Sequence, residues 1–157
     1  MRPFLYKVFF NLLIFILFPA LLWAWEGKVV GVADGDTITV MHDGKGEKIR
    51  LYGIDCPEKK QAFGSKAKQF TSDKVFGQTV AIRPINKDRY GRTIGWVSYD
   101  GKSLNDELLK AGLAWHYKRY SKDQSLAELE DYARGKKIGL WSDPHAVPPW
   151  EFRRGKK

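Results

Sequence analysis

The sequence predicts an α+β fold, a barrel of five short strands with one helix inserted and further helices behind it. Three observations predict it. The first half carries short alternating apolar runs separated by Asp-Gly turns, the stretch from Gln61 to Phe76 switches to helix formers, and the last third carries helix caps with one-sided apolar stripes.

The elements follow in chain order. Val29-Val30-Gly31-Val32 forms the first strand and Thr37-Ile38-Thr39-Val40-Met41 the second, its polar and apolar residues alternating as in a half-buried strand. Asp43-Gly44 supplies a hairpin turn, and Lys48-Ile49-Arg50-Leu51-Tyr52 returns as its partner. A helix over Gln61–Phe76 ends at Gly77. Thr79–Pro84 and Thr93–Tyr99 are the remaining strands, the last closing on Asp100-Gly101. Ser103 caps a helix that places Leu104, Leu108 and Ala111 on one face and ends at Gly112. Another begins at Ser121 or Ser125 and buries Leu126, Leu129, Tyr132 and Ala133. An OB-like barrel fits this order best. Such barrels commonly bind oligonucleotides on one face, although a fold alone does not fix a function.

The domain proper spans 25–143. Before it, Arg2 and Lys7 precede an almost wholly apolar run from Val8 to Leu22, the pattern of an export signal. Left uncleaved, residues 8–22 would instead anchor the chain to a membrane. In either case the rest lies outside the cytoplasm, as a secreted, periplasmic or envelope-associated protein. After it, residues 144–157 form a basic, proline-rich tail expected to lie extended on the surface. The net charge is +9, and residues 1–24 contribute two of those charges and no acid, leaving +7 on the remainder. That excess suits a polyanion, either nucleic acid or an anionic membrane, or merely a soluble basic surface. The lone Cys56 cannot form an internal disulfide and reads as structural, so the fold is stabilised by its core alone, without cross-links, and a monomer is expected.

Three short motifs carry candidate chemistry. Asp34-Gly35-Asp36-Thr37 joins two strands. It is either a plain turn or half of a metal site, and it lacks the downstream ligands of an EF-hand. Asp55-Cys56-Pro57-Glu58 is either an exposed acidic turn or a proline-fixed pair of carboxylates aimed into a cleft. Arg50 sits just before it on the strand face opposite Leu51. Asp88-Arg89-Tyr90-Gly91-Arg92 is a basic turn that can present a guanidinium, a group matched to phosphate oxygens. His42, His116 and His145 have no zinc-like spacing, and no phosphate-loop or Gly-x-Ser-x-Gly pattern is present.

Taken together, Val32–Thr37, Ile49–Glu58, Asp88–Arg92, Glu107–Ala114 and Gly139–Trp141 resemble, in order and spacing, the thermonuclease or staphylococcal-nuclease-like family in its secreted bacterial form. The resemblance runs from about Glu26 to Trp141. It implies a five-stranded OB barrel with three helices and a calcium ion (Ca2+) at the centre of a nuclease. By position, Asp36, Asp55 and the backbone carbonyl of Cys56 correspond to the metal ligands, and Asp34 and Thr37 support them. Glu58 takes the place of the general base, and Arg50 and Arg92 those of the phosphate-binding arginines. Tyr90, Tyr117 and Tyr120 are candidates to stack on the substrate, although Trp115–Tyr120 departs in register from the family pattern. The implied substrate is DNA, RNA or both, in single-stranded or frayed regions, cut to leave a 3′-phosphate.

These roles are physically coherent. A phosphodiester repels hydroxide and has a poor leaving group, so its cleavage needs charge neutralisation, an activated water and stabilisation of the equatorial oxygens. Two readings compete with catalysis. One is a non-catalytic OB module that only binds nucleic acid. The other is an envelope scaffold using its basic surface on anionic lipid.

Overall fold

The computed structural model describes residues 24–155. Apart from Ala24, the expected export signal lies outside the described residues. The described residues open with strand β1 (Trp25–Asp34), followed by β2 (Thr37–His42), β3 (Lys45–Leu51) and the two-residue β4 (Ile54–Asp55). Helix α1 (Gly64–Val75) is followed by β5 (Thr79–Lys87), β6 (Thr93–Tyr99) and a two-residue β7 (Lys102–Ser103). Helix α2 (Leu104–Lys110), a short β8 (Trp115–His116) and helix α3 (Gln124–Gly135) come next. A 3-10 turn (Gly139–Ser142) and the one-turn helix α4 (Pro149–Phe152) complete the described chain.

The barrel closes in the order β3-β2-β1-β5-β6, with β6 returning to β3 as the one parallel pairing among its strands. Closure requires strong coiling, and β1 supplies it. Register shifts between Val29 and Gly31 and between Val32 and Asp34 bend this strand so that it pairs with both β2 and β5. The fold is thus the expected five-stranded OB barrel, with β7 as an extra strand and α1, α2 and α3 as its main helices. Both Asp-Gly turns behave as expected. Asp43 and Gly44, like Asp100 and Gly101, adopt the positive φ that tight hairpins require.

Ile38, Val40, Ile49, Leu51, Val80, Ile82 and Val97 point inward and meet Ala67 and Val75 of α1 and Leu104 and Leu108 of α2. Each such fully buried aliphatic side chain contributes about 1.5–3 kcal/mol. A second cluster of Trp115, Ala133, Leu140 and Trp141 sits beside the first.

Several expectations are corrected. Helix α1 begins at Gly64, because Phe63 takes a left-handed φ of 66° and Gly64 packs directly on the Glu58 carbonyl. Strand β5 continues past Pro84 to Lys87 through an irregularity that absorbs the proline. Helix α3 is capped by neither Ser121 nor Ser125 but by Asp123, which accepts from the Ser125 amide at 2.9 Å. On α3 Tyr132 is 54% exposed, and Glu130 occupies the buried stripe instead. Helix α2 ends at Lys110 with Ala111 as its C-cap, and Ala111 still packs against the core on the face of Leu104 and Leu108. The tail is not an extended surface strand. Pro148 and Pro149 start α4, where a missing amide costs nothing, and α4 docks on β8 through Trp150.

Candidate active site

The acidic turn between β1 and β2 sets one side of the site. Gly35 has no room for a side chain against Ala67 and Cys56, and its carbonyl accepts from the Thr71 hydroxyl of α1 at 2.6 Å. The turn is thereby pinned to α1, and it carries Asp36 into the protein. Asp36 Oδ2 accepts from the Cys56 amide at 2.5 Å, and the Thr37 hydroxyl donates to Oδ1 at 3.3 Å. The Asp36 amide itself donates to Asp34 at 3.2 Å.

Asp55 forms the other side. It lies on β4, opposite Trp115 of β8, and its side chain is 2% exposed. Arg50, at the end of β3, joins the two carboxylates. Its Nη1 lies 3.2 Å from Asp36 Oδ2 and its Nη2 2.9 Å from Asp55 Oδ1. Nη1 also donates to the carbonyls of Leu51 (3.1 Å) and Ile54 (2.9 Å). The guanidinium therefore holds the β3–β4 corner and both acids in one geometry.

Burial pushes the Asp36 carboxyl up to about 8. Arg50 opposes that rise, whereas the neighbouring Asp34 and Asp55 add to it. Cys56 packs in the buried core, and burial raises its thiol well above its ordinary range.

Glu58 lies at the more open rim and is reached by a group that the sequence did not single out. Arg153, at the end of α4, places Nη1 2.6 Å from Glu58 Oε1 and Nη2 2.8 Å from Asp55 Oδ2. Burial acts to lower its pKa, but the bonds to Asp55 and Glu58 prevail and raise it. Gln61 fastens the same segment by donating to the Val147 carbonyl at 2.6 Å. The sequence signal for Arg153 was slight: a helix-starting Pro-Pro, an aromatic residue and two arginines within one turn.

Asp36, Asp55, Arg50 and Glu58 are thus gathered into one network, with Arg153 as an added member. Arg92 and Tyr90 are not joined to it by a hydrogen bond or ion pair among the described residues. Arg92 is held by Asp88, its Nε donating to Oδ2 at 2.7 Å, and it lies over the exposed Tyr90 ring. Tyr117 stacks on Trp150 and meets the exposed Tyr120 edge-on.

The Asp88 contact carries a pH signature. Burial would raise the Asp88 carboxyl, but hydrogen bonds from the Arg92 side chain and amide outweigh it and lower the pKa below the usual 3.8. As pH falls under that value, the unfolded chain takes up a proton that the folded chain resists, so stability declines through the lower folded value. Asp88→Asn is expected to flatten part of that acid limb, leaving the shares of Glu47 and Asp123, which are likewise lowered. Urea midpoints at about pH 5 and about pH 3 measure it, and an unchanged slope would contradict the assignment.

The protein is an OB barrel bearing a buried cluster of carboxylates and guanidiniums at the β1–β2 turn and the β3–β4 corner. A family model described as staphylococcal nuclease homologue matches residues 48–143, and the chain belongs to that family. It is 43% identical over 152 residues to an uncharacterized endonuclease of Escherichia coli O157:H7, covering 96% of this chain and 99% of that one. It is 42% identical over 147 residues to a micrococcal nuclease of Shigella flexneri, covering 86% and 84% respectively. A staphylococcal-like nuclease of Arabidopsis thaliana is 41% identical over 110 residues, covering 70% of this chain and 34% of the plant protein.

Proposed function

We infer that this chain is a calcium-dependent nuclease that hydrolyses phosphodiester bonds of DNA, RNA or both at the Asp36–Asp55 cluster. The observation that carries the reading is the buried carboxylate pair tied by Arg50, with Glu58 at its rim, in a member of a nuclease family.

The donors suit a hard cation. Asp36 and Asp55 offer carboxylate oxygens, the ligand type such ions take. Two further features support the fit. Burial, with Asp34 and Asp55 nearby, raises the Asp36 carboxyl, and a bound cation would offset that penalty on its charged form. Asp55 already draws in two guanidiniums. The family resemblance assigns the third ligand to the Cys56 backbone carbonyl; among the described residues no three His, Cys, Asp or Glu side chains are placed to hold a metal ion. A calcium ion held by these groups would supply charge neutralisation at the phosphate and polarise a water.

The chain's own groups do the rest. Arg50 fixes the spacing of the two acids, and Asp34 and Thr37 orient Asp36. Glu58 takes the proton of the attacking water as general base. Arg50 and Arg92 stabilise the charge that builds on the phosphate oxygens. Tyr90, Tyr117 and Tyr120 offer faces to unpaired bases, which favours single-stranded or frayed regions. The basic N-terminal segment with its apolar run at 8–22 supports export, with the domain acting as a monomer outside the cytoplasm.

Circular single-stranded DNA tests the reading, because a circle reports internal cutting directly. The protein with calcium should linearise it, and a chelator should abolish the cutting. Full nicking in the chelator would sink the cation requirement, and binding without nicking under both conditions would favour a non-catalytic OB module.

A further inference from the structure

Arg153 makes contacts that the mechanism above does not use. It comes from the tail, at the end of α4, and reaches the two acids that matter most to the chemistry. Its Nη2 lies 2.8 Å from Asp55 Oδ2 and its Nη1 2.6 Å from Glu58 Oε1. Nη1 also donates to Asp55 Oδ1 at 3.3 Å. One fork thus spans the carboxylate that would hold a cation and the carboxylate that would take a proton from water.

The two guanidiniums on Asp55 are not equivalent. Arg50 is 14% exposed and also holds Asp36 and the carbonyls of Leu51 and Ile54, so it is built into the β3–β4 corner. Arg153 is 41% exposed, and its head group can swing into water without disturbing the barrel. Exposed pairs of this kind hold weakly. Among the described residues Arg153 supplies the contacts to Asp55 Oδ2 and Glu58 Oε1, so its departure uncovers both oxygens at once.

The rest of the tail is fastened independently of these contacts. Gln61 donates to the Val147 carbonyl at 2.6 Å, and Pro149 is buried at the start of α4. Trp150 stacks on Tyr117 with planes 2° from parallel and meets Trp115 edge-on. These contacts keep α4 in place while the Arg153 side chain moves, so the fork stays at high effective concentration beside the acids. A guanidinium keeps its proton at any working pH, so the acids are freed by movement and not by titration. A guanidinium and a divalent cation on one buried carboxylate also repel each other strongly.

We propose that Arg153 is a tethered cap on the site: it covers Asp55 Oδ2 and Glu58 Oε1 and has to swing out before a divalent cation is held there. The α4 tail then sets the calcium concentration at which the site fills, and the same movement releases Glu58 to act as base. This rests on the calcium-dependent reading above.

Calorimetry of calcium added to the full chain, without nucleic acid, reads the cap directly. Arg153→Ala should bind calcium about 3- to 30-fold more tightly than wild type, the span expected for freeing a carboxylate from a part-exposed charged pair. Arg153→Lys, which keeps the charge but not the fork, should fall between the two. Arg154→Ala removes the same charge one residue on, from a side chain lining the cleft beside β8, and should stay within about twofold of wild type. Near-UV circular dichroism of the tryptophans checks that α4 stays docked in each variant. In the wild-type protein, side-chain nitrogen NMR should show the Arg153 guanidinium passing from held to freely rotating as calcium saturates the site. That measurement needs no variant, so it decides the matter should α4 loosen in one. Equal calcium affinity in wild type and Arg153→Ala, an equal gain in Arg154→Ala, or a guanidinium that stays held at saturation overturns the cap. Absence of calcium binding in both wild type and Arg153→Ala would instead overturn the calcium reading itself.

Discussion

Glu58→Gln should lower turnover by about 100- to 10,000-fold, the range that a positioned general base supplies. The fold should barely notice. Glu58 is 38% exposed on its side chain and its partner Arg153 41%, and exposed pairs of this kind contribute about 0.2–1 kcal/mol. Glutamine also keeps an oxygen that can accept from Arg153 Nη1, so α4 retains that fastening. The loss should appear in kcat, with substrate affinity close to wild type, because the carboxylate acts on the attacking water and not on the bound nucleotide. Single-turnover cleavage of a defined oligonucleotide measures it. Retention of more than about a tenth of the rate would assign the base to another group.

Arg50→Ala is the companion case, in which stability carries the larger effect. The wild-type guanidinium contacts two buried carboxylates and two carbonyls. Removing one partner of a buried ion pair commonly costs about 3–5 kcal/mol, because the other charge is stranded. Two features place the expected loss near the lower end. Asp36 can hold its proton, since burial already raises its pKa, and Asp55 keeps Arg153. Arg50→Lys should recover little, because an ammonium lacks the planar fork that spans both acids. Urea unfolding of the metal-free protein separates this structural share from catalysis. A loss below about 1 kcal/mol would mean that the cluster does not depend on Arg50 for its shape.

The fold was legible wherever local chemistry decides it. Asp43-Gly44 and Asp100-Gly101 signal hairpins because few other residue pairs accept their positive φ, and Ser103 caps α2 through its own side chain. The acids and Arg50 were legible as a set, since a β1–β2 turn, a strand end and a proline-fixed corner converge once the barrel closes. What escaped were long-range contacts. Tyr132 passed for core because it is apolar in a helical stripe. Yet it stands about 120° around α3 from Leu126, whereas Glu130 lies nearly above Leu126. Glutamate there was unreadable because its partners, the His116 amide and Arg134, come from β8 and from the helix itself. The tail's prolines correctly announced a break in regular structure. They said nothing of Trp150 finding Tyr117, or of Arg153 finding an acid on β4.

That last contact has a temporal side. Asp55 and Arg153 are 98 residues apart in the chain. At a synthesis rate of about 5–20 residues per second, the arginine follows its acid by roughly 5–20 s. For that interval the nascent carboxylates face whatever cations the surroundings offer, before the protein's own Arg153 arrives.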